Sequence, residues 1–240
     1  MGRLYWSIRA LPFADTPEAP SEESIGRLRS YLDRAFPSAD NQSYLDALMG
    51  PLHRRPPQGV TVARLTALSL LPPLLVQAGL DPSHLRLARN EHGRPYGEWV
   101  SGAGTAMDFN LSHSDRHAVC ALLTGGGRVG VDAEEALPPA RALPLIRRFC
   151  TEGEHASLRG LSEEASAAAF TRIWTIREAL SKQDGRGMPL RYDAAHIPDG
   201  LQVLCGRIPS VGTRVALCVP DSLSAADVIP VAPTLPIEWE

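Results

Sequence analysis

Three short stretches of the sequence carry residue types that could do chemistry together. The first is GVDAEE, residues 130–135. Asp132 and Glu134 alternate with Val131 and Ala133, so on a strand both carboxylates leave the same face. Two carboxylates held side by side repel unless a proton or a cation intervenes. Magnesium is a natural partner, because it binds one or two carboxylates together with phosphate oxygens and water. The second stretch is WTIREALSK, residues 174–182. Trp174, Glu178 and Lys182 recur every four residues and share one face of a helix. As a surface feature, Glu178–Lys182 would be an ordinary helix ion pair worth ~0.2–0.5 kcal/mol. Lys182 is nevertheless the only lysine in the chain; every other one of the 24 Lys and Arg residues is an arginine. The third piece is NLSHS (110–114) with HGRP (92–95) upstream, where Ser112, His113 and Arg94 can donate hydrogen bonds to a phosphate.

The elements that must position these residues can be read from periodicity and punctuation. Residues 1–10 predict a strand and 21–48 one or two helices, with a Pro- and Gly-rich loop at 50–59. The apolar run 60–71 permits a helix that Pro72–Pro73 must end or restart. Residues 86–99 read as a turn-rich stretch around Gly93. FNLSHS reads as a short extended piece and polar turn before a buried strand at 117–124. Gly125–Gly127 then turn the chain into a strand at 128–134, and the pair predicts a hairpin. Beyond Pro138–Pro139 the chain turns helical, with N-caps expected at Thr151 and Ser162 and a stop at Gly185. A closing hairpin is expected from 201–205 and 213–219, and a proline-rich irregular tail from 220 onward. Strands and helices mix without βαβα alternation, which predicts an α+β fold.

Composition excludes several classes of function. A net charge of −3 over 240 residues offers no bulk attraction to nucleic acid or to an anionic membrane, so neither partner is expected. The four cysteines are scattered without a CxxC pair, which predicts free thiols in a reducing cytoplasm rather than a disulfide framework or a zinc site. The N-terminal MGRLYWSIRALPF is too short and polar for a secretory signal, and no run of about 18 apolar residues is evident. A cytoplasmic protein is the expectation.

In order along the chain, GRP, FNLSHS, GVDAE, WTIREALSK and a following GRG form a set. The set resembles the Sfp-type 4′-phosphopantetheinyl transferases, whose pattern is a GKP turn, F-N-x-SHS, G-(V/I)-D-x-E and W-x-x-KE-(A/S)-x-x-K before a Gly-rich turn. The resemblance covers residues 86–190. It implies an enzyme that moves the phosphopantetheine arm of coenzyme A onto a serine of an acyl or peptidyl carrier domain and releases 3′,5′-ADP, as in polyketide, nonribosomal peptide or fatty-acid synthesis. It also implies two similar α+β halves related by pseudo-twofold symmetry. Residues 1–124 would be the coenzyme A-binding half, and 125–240 the half with metal and catalytic residues and the carrier dock. By resemblance, Asp132, Glu134 and Glu178 would hold Mg²⁺ (or Mn²⁺). Glu178 could also take the serine proton, Lys182 would face the reacting phosphate, and Asp132 completes the catalytic set. Arg94, Ser112 and His113 would grip the 3′-phosphate of coenzyme A, with Arg64 and Arg55 as further candidates. Phe149 would meet the carrier, with Leu137 and Leu158 beside it and Arg147 and Arg148 steering its acidic surface. A monomer is expected, since one chain supplies both halves.

Three departures from the family pattern stand out. Arg177 replaces the lysine of KE, GRP replaces GKP, and Pro72–Pro73 interrupt the place of a basic helix. Two alternative readings remain at this stage: a non-catalytic coenzyme A- and carrier-binding homologue, and an unrelated magnesium-dependent phosphohydrolase built on Asp132 and Glu134.

Overall fold

In the computed structural model the structure describes residues 2–12, 21–50, 58–100, 105–187, 192–209, 211–232 and 234–240. Strand β1 (Arg3–Ala10) pairs along its whole length with β5 (His117–Thr124), which also pairs with β4 (Met107–His113). The resulting sheet runs β4-β5-β1-β9, and its last strand, β9 (Val228–Pro230), lies parallel to β1. The tail expected to be irregular therefore returns to the first sheet, so the boundary at residue 124 is crossed by the end of the chain. Helices α1 (Glu22–Ala35), α2 (Ala39–Met49), α3 (Gln58–Ser69) and α4 (Leu71–Gln77) accompany this sheet. Pro72 and Pro73 fall in the first turn of α4, where backbone N–H groups have no helical partner anyway, so the helix restarts there without the interior penalty. Residues 59–77 do pass for a membrane span by length and mean hydropathy (1.6), contrary to expectation, but 72% of that stretch is buried inside the protein. The stretch around Gly93 is more regular than expected, being a hairpin of β2 (Leu85–Arg89) and β3 (Pro95–Trp99).

A second sheet runs β10-β7-β8-β6, from β6 (Gly130–Glu134), β7 (Leu201–Arg207), β8 (Arg214–Pro220) and β10 (Glu238–Trp239). The hairpin expected between 117–124 and 128–134 does not form: β6 pairs with β8, not β5. Gly125, Gly126 and Gly127 all have φ between 85° and 99°, and this left-handed run carries the chain out of one sheet and into the other. Helices α5 (Pro139–Phe149), α6 (Glu152–Leu158) and α7 (Glu163–Asp184) follow β6. Thr151 and Ser162 cap α6 and α7 as expected, and Gly185 ends α7 in the left-handed conformation.

The chain is α+β, arranged in layers. Leu4, Trp6, Ile8, Val119, Ala121 and Leu123 from the first sheet bury against Val131, Val215, Leu217 and Val219 from the second. The opposite face of the first sheet, with Phe109, Cys120 and Leu122, packs on Leu32, Phe36, Leu65 and Leu68 of the N-terminal helices. The opposite face of the second sheet packs Ala216 and Cys218 on Ile176, Ala179 and Leu180 of α7. Strand β5 is apolar on both faces because it lies between two cores. Each fully buried Leu or Phe contributes about 1.5–3 kcal/mol. The four cysteines are free thiols.

Candidate active site between the two sheets

Strands β4 and β6 are edge strands of different sheets, and they meet between the two sheets. Asp108, Asn110 and Ser112 alternate on β4 and face β6. Asp108 Oδ2 accepts from Val129 N (2.8 Å), and Asn110 Oδ1 accepts from Val131 N (3.0 Å). Ser112 Oγ donates to Asp132 Oδ1 (2.8 Å). Side chains of one edge thus satisfy backbone donors that the other would leave exposed. Sequence reasoning missed Asp108 and Asn110. Their signal was a polar residue at every second position of a strand whose other positions, Phe109 and Leu111, are apolar.

Helix α7 lies directly on β6. A Cβ at Gly130 would stand 1.9 Å from the carbonyl oxygen of Ala179 and 2.5 Å from Gln183 N, so only glycine permits this approach. The approach brings Lys182 onto Asp132: Nζ donates to Asp132 Oδ1 (2.6 Å) and to Ser112 Oγ (2.7 Å). Lys182 does not make the helix ion pair with Glu178 that spacing alone suggests; its partner is across the cleft. Glu178 has no hydrogen-bond partner among the described residues, and with Lys182 it lines a cleft of about 250 Å³ that the HGRP turn closes on the other side.

The three predicted carboxylates lie near enough for their charges to act on one another. Burial, followed by the charge of Asp132, pushes Glu134 up to about 8. The same two causes, burial first, raise Glu178. Among the described residues no three His, Cys, Asp or Glu side chains stand as a ready-made metal cage. The donor chemistry nevertheless fits a hard divalent cation. Lys182 neutralises one oxygen of Asp132, while the other, Oδ2, is buried with no hydrogen-bond partner among the described residues. An orphaned carboxylate oxygen beside two carboxyls driven toward protonation is a set that a cation would satisfy.

A second chamber of about 320 Å³ adjoins the first across Pro95 and Leu111. Its walls carry Arg64, Arg89, Ser112, His113 and Tyr44. Burial, then Lys182 and Arg64, lower the His113 pKa below its ordinary value. Of the predicted phosphate ligands, His113 and Arg64 therefore stand together. Ser112 touches the chamber but is committed to the Lys182–Asp132 network. Arg55 lies outside the described residues. Arg89, which sequence reasoning missed, stacks over the Tyr44 ring at 5.3 Å. Arg94 departs from expectation. Its guanidinium is 8% exposed and forms a bidentate pair with Asp108 (2.9 and 2.5 Å), so it does not stand as an open phosphate clamp.

Arg177 is buried on the far side of α7, away from the cleft. It donates to the carbonyl of Phe149 (2.7 Å) and to Glu154 (3.1 Å). Glu154, also buried, accepts from the backbone of Thr151 (2.9 Å) and Ala194 (3.0 Å), and so joins three segments. Arginine at this position is a strut, with Nη1 donating to both acceptors. Phe149 is half-buried, 5.8 Å from Trp174, with the Arg148 guanidinium over its ring at 5.0 Å. Leu137 is half-buried, but Leu158 belongs to the core under α5 and offers no surface to a partner.

The fold and the cleft define an α+β chain that gathers carboxylates and a lysine beside a cationic chamber. Residues 128–202, which hold the carboxylates, the lysine and the buried strut, match the model of the 4′-phosphopantetheinyl transferase superfamily. The chain is 31% identical over 116 residues to a 4′-phosphopantetheinyl transferase of Bacillus subtilis, covering 48% of each protein. It is 26% identical over 170 residues to 4′-phosphopantetheinyl transferase Sfp of Bacillus subtilis (strain 168), covering 68% of this chain and 72% of Sfp. It is 36% identical over 129 residues to 4′-phosphopantetheinyl transferase AcpT of Salmonella typhi, covering 54% of this chain and 62% of that protein. The similarity thus spans from about half to under three quarters of these relatives, and the resemblance read from the motifs is one they share.

Proposed function

We propose that this protein transfers the 4′-phosphopantetheine arm of coenzyme A to a serine of an acyl or peptidyl carrier domain and releases 3′,5′-ADP. The observation that carries the reading is the Lys182–Ser112–Asp132 network, with Glu134 and Glu178 beside it and the cationic chamber next door. The carrier serine oxygen forms a bond to the phosphorus that bears pantetheine, and the bond from that phosphorus to the bridging oxygen breaks. The serine proton goes to Glu178, directly or through a water that Glu178 orients. Its raised pKa supports this role, because a base works best when poised nearer the operating pH. Lys182 holds a compact positive charge where the transferred phosphoryl group must pass. Arg64, Arg89 and His113 receive the 3′-phosphate of coenzyme A. When bound, Mg²⁺ or Mn²⁺ held by Asp132, Glu134 and Glu178 would neutralise charge on the pyrophosphate.

The two four-stranded sheets, each with helices on its outer face, are read as pseudo-twofold halves with the cleft between them. The half-buried Phe149, rimmed by exposed Arg147 and Arg148, is the proposed dock for an acidic carrier. One chain holds all of this, which fits a monomer.

The deciding experiment incubates an apo carrier domain with the protein, coenzyme A and Mg²⁺, and then weighs the carrier. A gain of one phosphopantetheine arm is expected. An unchanged carrier with coenzyme A still bound would instead make the chain a binding homologue. Phosphate release without a carrier would make it a hydrolase.

A further inference from the structure

We propose that Arg94 is a positioning residue that locks the C-terminal end of α7 to the N-terminal half, and so sets where Lys182 and Glu178 stand relative to Asp132. All five N–H donors of its guanidinium are spent within the protein. Nε donates to the carbonyl of Lys182 (2.8 Å). Nη1 donates to Asp108 Oδ1 (2.9 Å) and to the carbonyl of Pro95 (3.2 Å). Nη2 donates to Asp108 Oδ2 (2.5 Å) and to the carbonyl of Val129 (2.9 Å). One side chain therefore touches β3, β4, the segment entering β6 and the last turn of α7. With five donors at most, nothing remains for a phosphate.

The rest of the corner is built around the same lock. A helix leaves its last carbonyls without partners, and its C-terminal end favours a cation. Here the carbonyl of Lys182 takes Arg94, that of Asp184 takes Arg128 (2.6 Å), and that of Gly185 takes Asn90 (3.0 Å). Asn90 also holds the turn that presents Arg94, accepting from Arg94 N at 2.8 Å. A Cβ at Gly185 would stand 2.6 Å from Arg94 Cδ, so the glycine that ends α7 also makes room for the lock. Asp108, which grips both ends of the fork, also holds Val129 N, next to the strand that carries Asp132. Arg94 and Asp108 thus fix both sides of the Lys182–Asp132 contact.

The activity arm of the test rests on the transfer reading above; a structural arm does not. Transfer is measured for the wild type, Arg94→Lys, Arg94→Ala and Asp108→Asn, with coenzyme A and with dephospho-coenzyme A, which lacks the 3′-phosphate. Amide hydrogen exchange is followed at residues 182–187. All three variants are expected to lose kcat on the order of 10²-fold, equally with both substrates, and to exchange faster at 182–187. Asp108→Asn keeps Arg94 and its charge, so a phosphate clamp would survive that change. A loss confined to KM for coenzyme A, absent with dephospho-coenzyme A and with unchanged exchange, would overturn the proposal. If the wild type transfers nothing, the functional reading falls, and the exchange at 182–187 still decides whether Arg94 is the lock.

Discussion

Lys182 Nζ lies 2.6 Å from Asp132 Oδ1, a residue 50 positions earlier in the chain, and 2.7 Å from Ser112 Oγ on a different sheet. The one lysine in the protein thus joins an edge strand of each sheet and α7, the longest helix among the described residues. A guanidinium is broader and needs more acceptors, so the slot suits lysine. Lys182→Ala is expected to reduce transfer by about 10²–10³-fold, and Lys182→Arg to recover little of it. Carrier mass measured against time, with circular dichroism to verify folding, checks this. Full recovery in Lys182→Arg would show that charge alone matters there.

Glu134 provides a pH test. Its pKa is pushed from 4.5 up to about 8, by burial and then by Asp132. A carboxyl raised on folding contributes stability below its unfolded pKa and loses it as pH rises through the folded one. Without metal, stability should therefore fall between about pH 4.5 and about pH 8. Mg²⁺ should raise the melting temperature more at pH 8 than at pH 6, and Glu134→Gln should flatten the metal-free pH dependence. A Mg²⁺ effect that is absent, or equal at the two pH values, would rule out Glu134 as a metal ligand.

Arg177 and Glu154 are both buried, with side chains 2% and 1% exposed. Removing one member of such a pair leaves an uncompensated charge. Arg177→Met should cost about 3–5 kcal/mol, measured by urea denaturation. Arg177→Lys should recover only part, since the shorter, more strongly hydrated ammonium is costlier to bury than a guanidinium and must reach the same Phe149 and Glu154 oxygens. A change below about 1 kcal/mol in Arg177→Met would contradict the strut, because that is the scale of an exposed pair.

His113 is held below its ordinary pKa by burial and by the cations Lys182 and Arg64. A phosphate in the same chamber supplies the opposite charge and should raise that pKa. Coenzyme A binding should then take up a proton near neutral pH. The preference for coenzyme A over dephospho-coenzyme A should grow as pH falls from about 7.5 to 6, across the ordinary histidine range. Calorimetry in buffers of different ionisation enthalpy measures the uptake. No uptake, or a preference that is flat with pH in the wild type, would remove His113 from the phosphate site.

Local patterns made much of the site legible. Alternation in GVDAE put Asp132 and Glu134 on one face, the four-residue spacing in WTIREALSK put Glu178 and Lys182 on another, and the two faces meet where Lys182 reaches Asp132. Caps at Thr151 and Ser162 and the stop at Gly185 were written in residue type, because those side chains act within a few positions of themselves. What failed was non-local. Gly125–Gly127 looked like a hairpin turn because sequence reveals a turn but not which strand receives it. The proline-rich tail hid β9 and β10, two short strands held by partners some 200 and 30 residues away.

By itself the sequence determined which residues could do chemistry, since titration, charge and hydrogen-bonding capacity belong to the side chain. It also determined their faces, since strand and helix periods are set by the backbone. Tertiary structure alone decided their partners. Lys182 chose Asp132 over the nearby Glu178 because Gly130 lets α7 settle onto β6. Arg94 read as a phosphate-binding cation along the chain and Arg177 as a departure from the family's lysine, yet in space each is enclosed by backbone carbonyl and carboxylate oxygens. An arginine's charge is fixed by its type, but what that charge meets depends on which distant backbone folds around it.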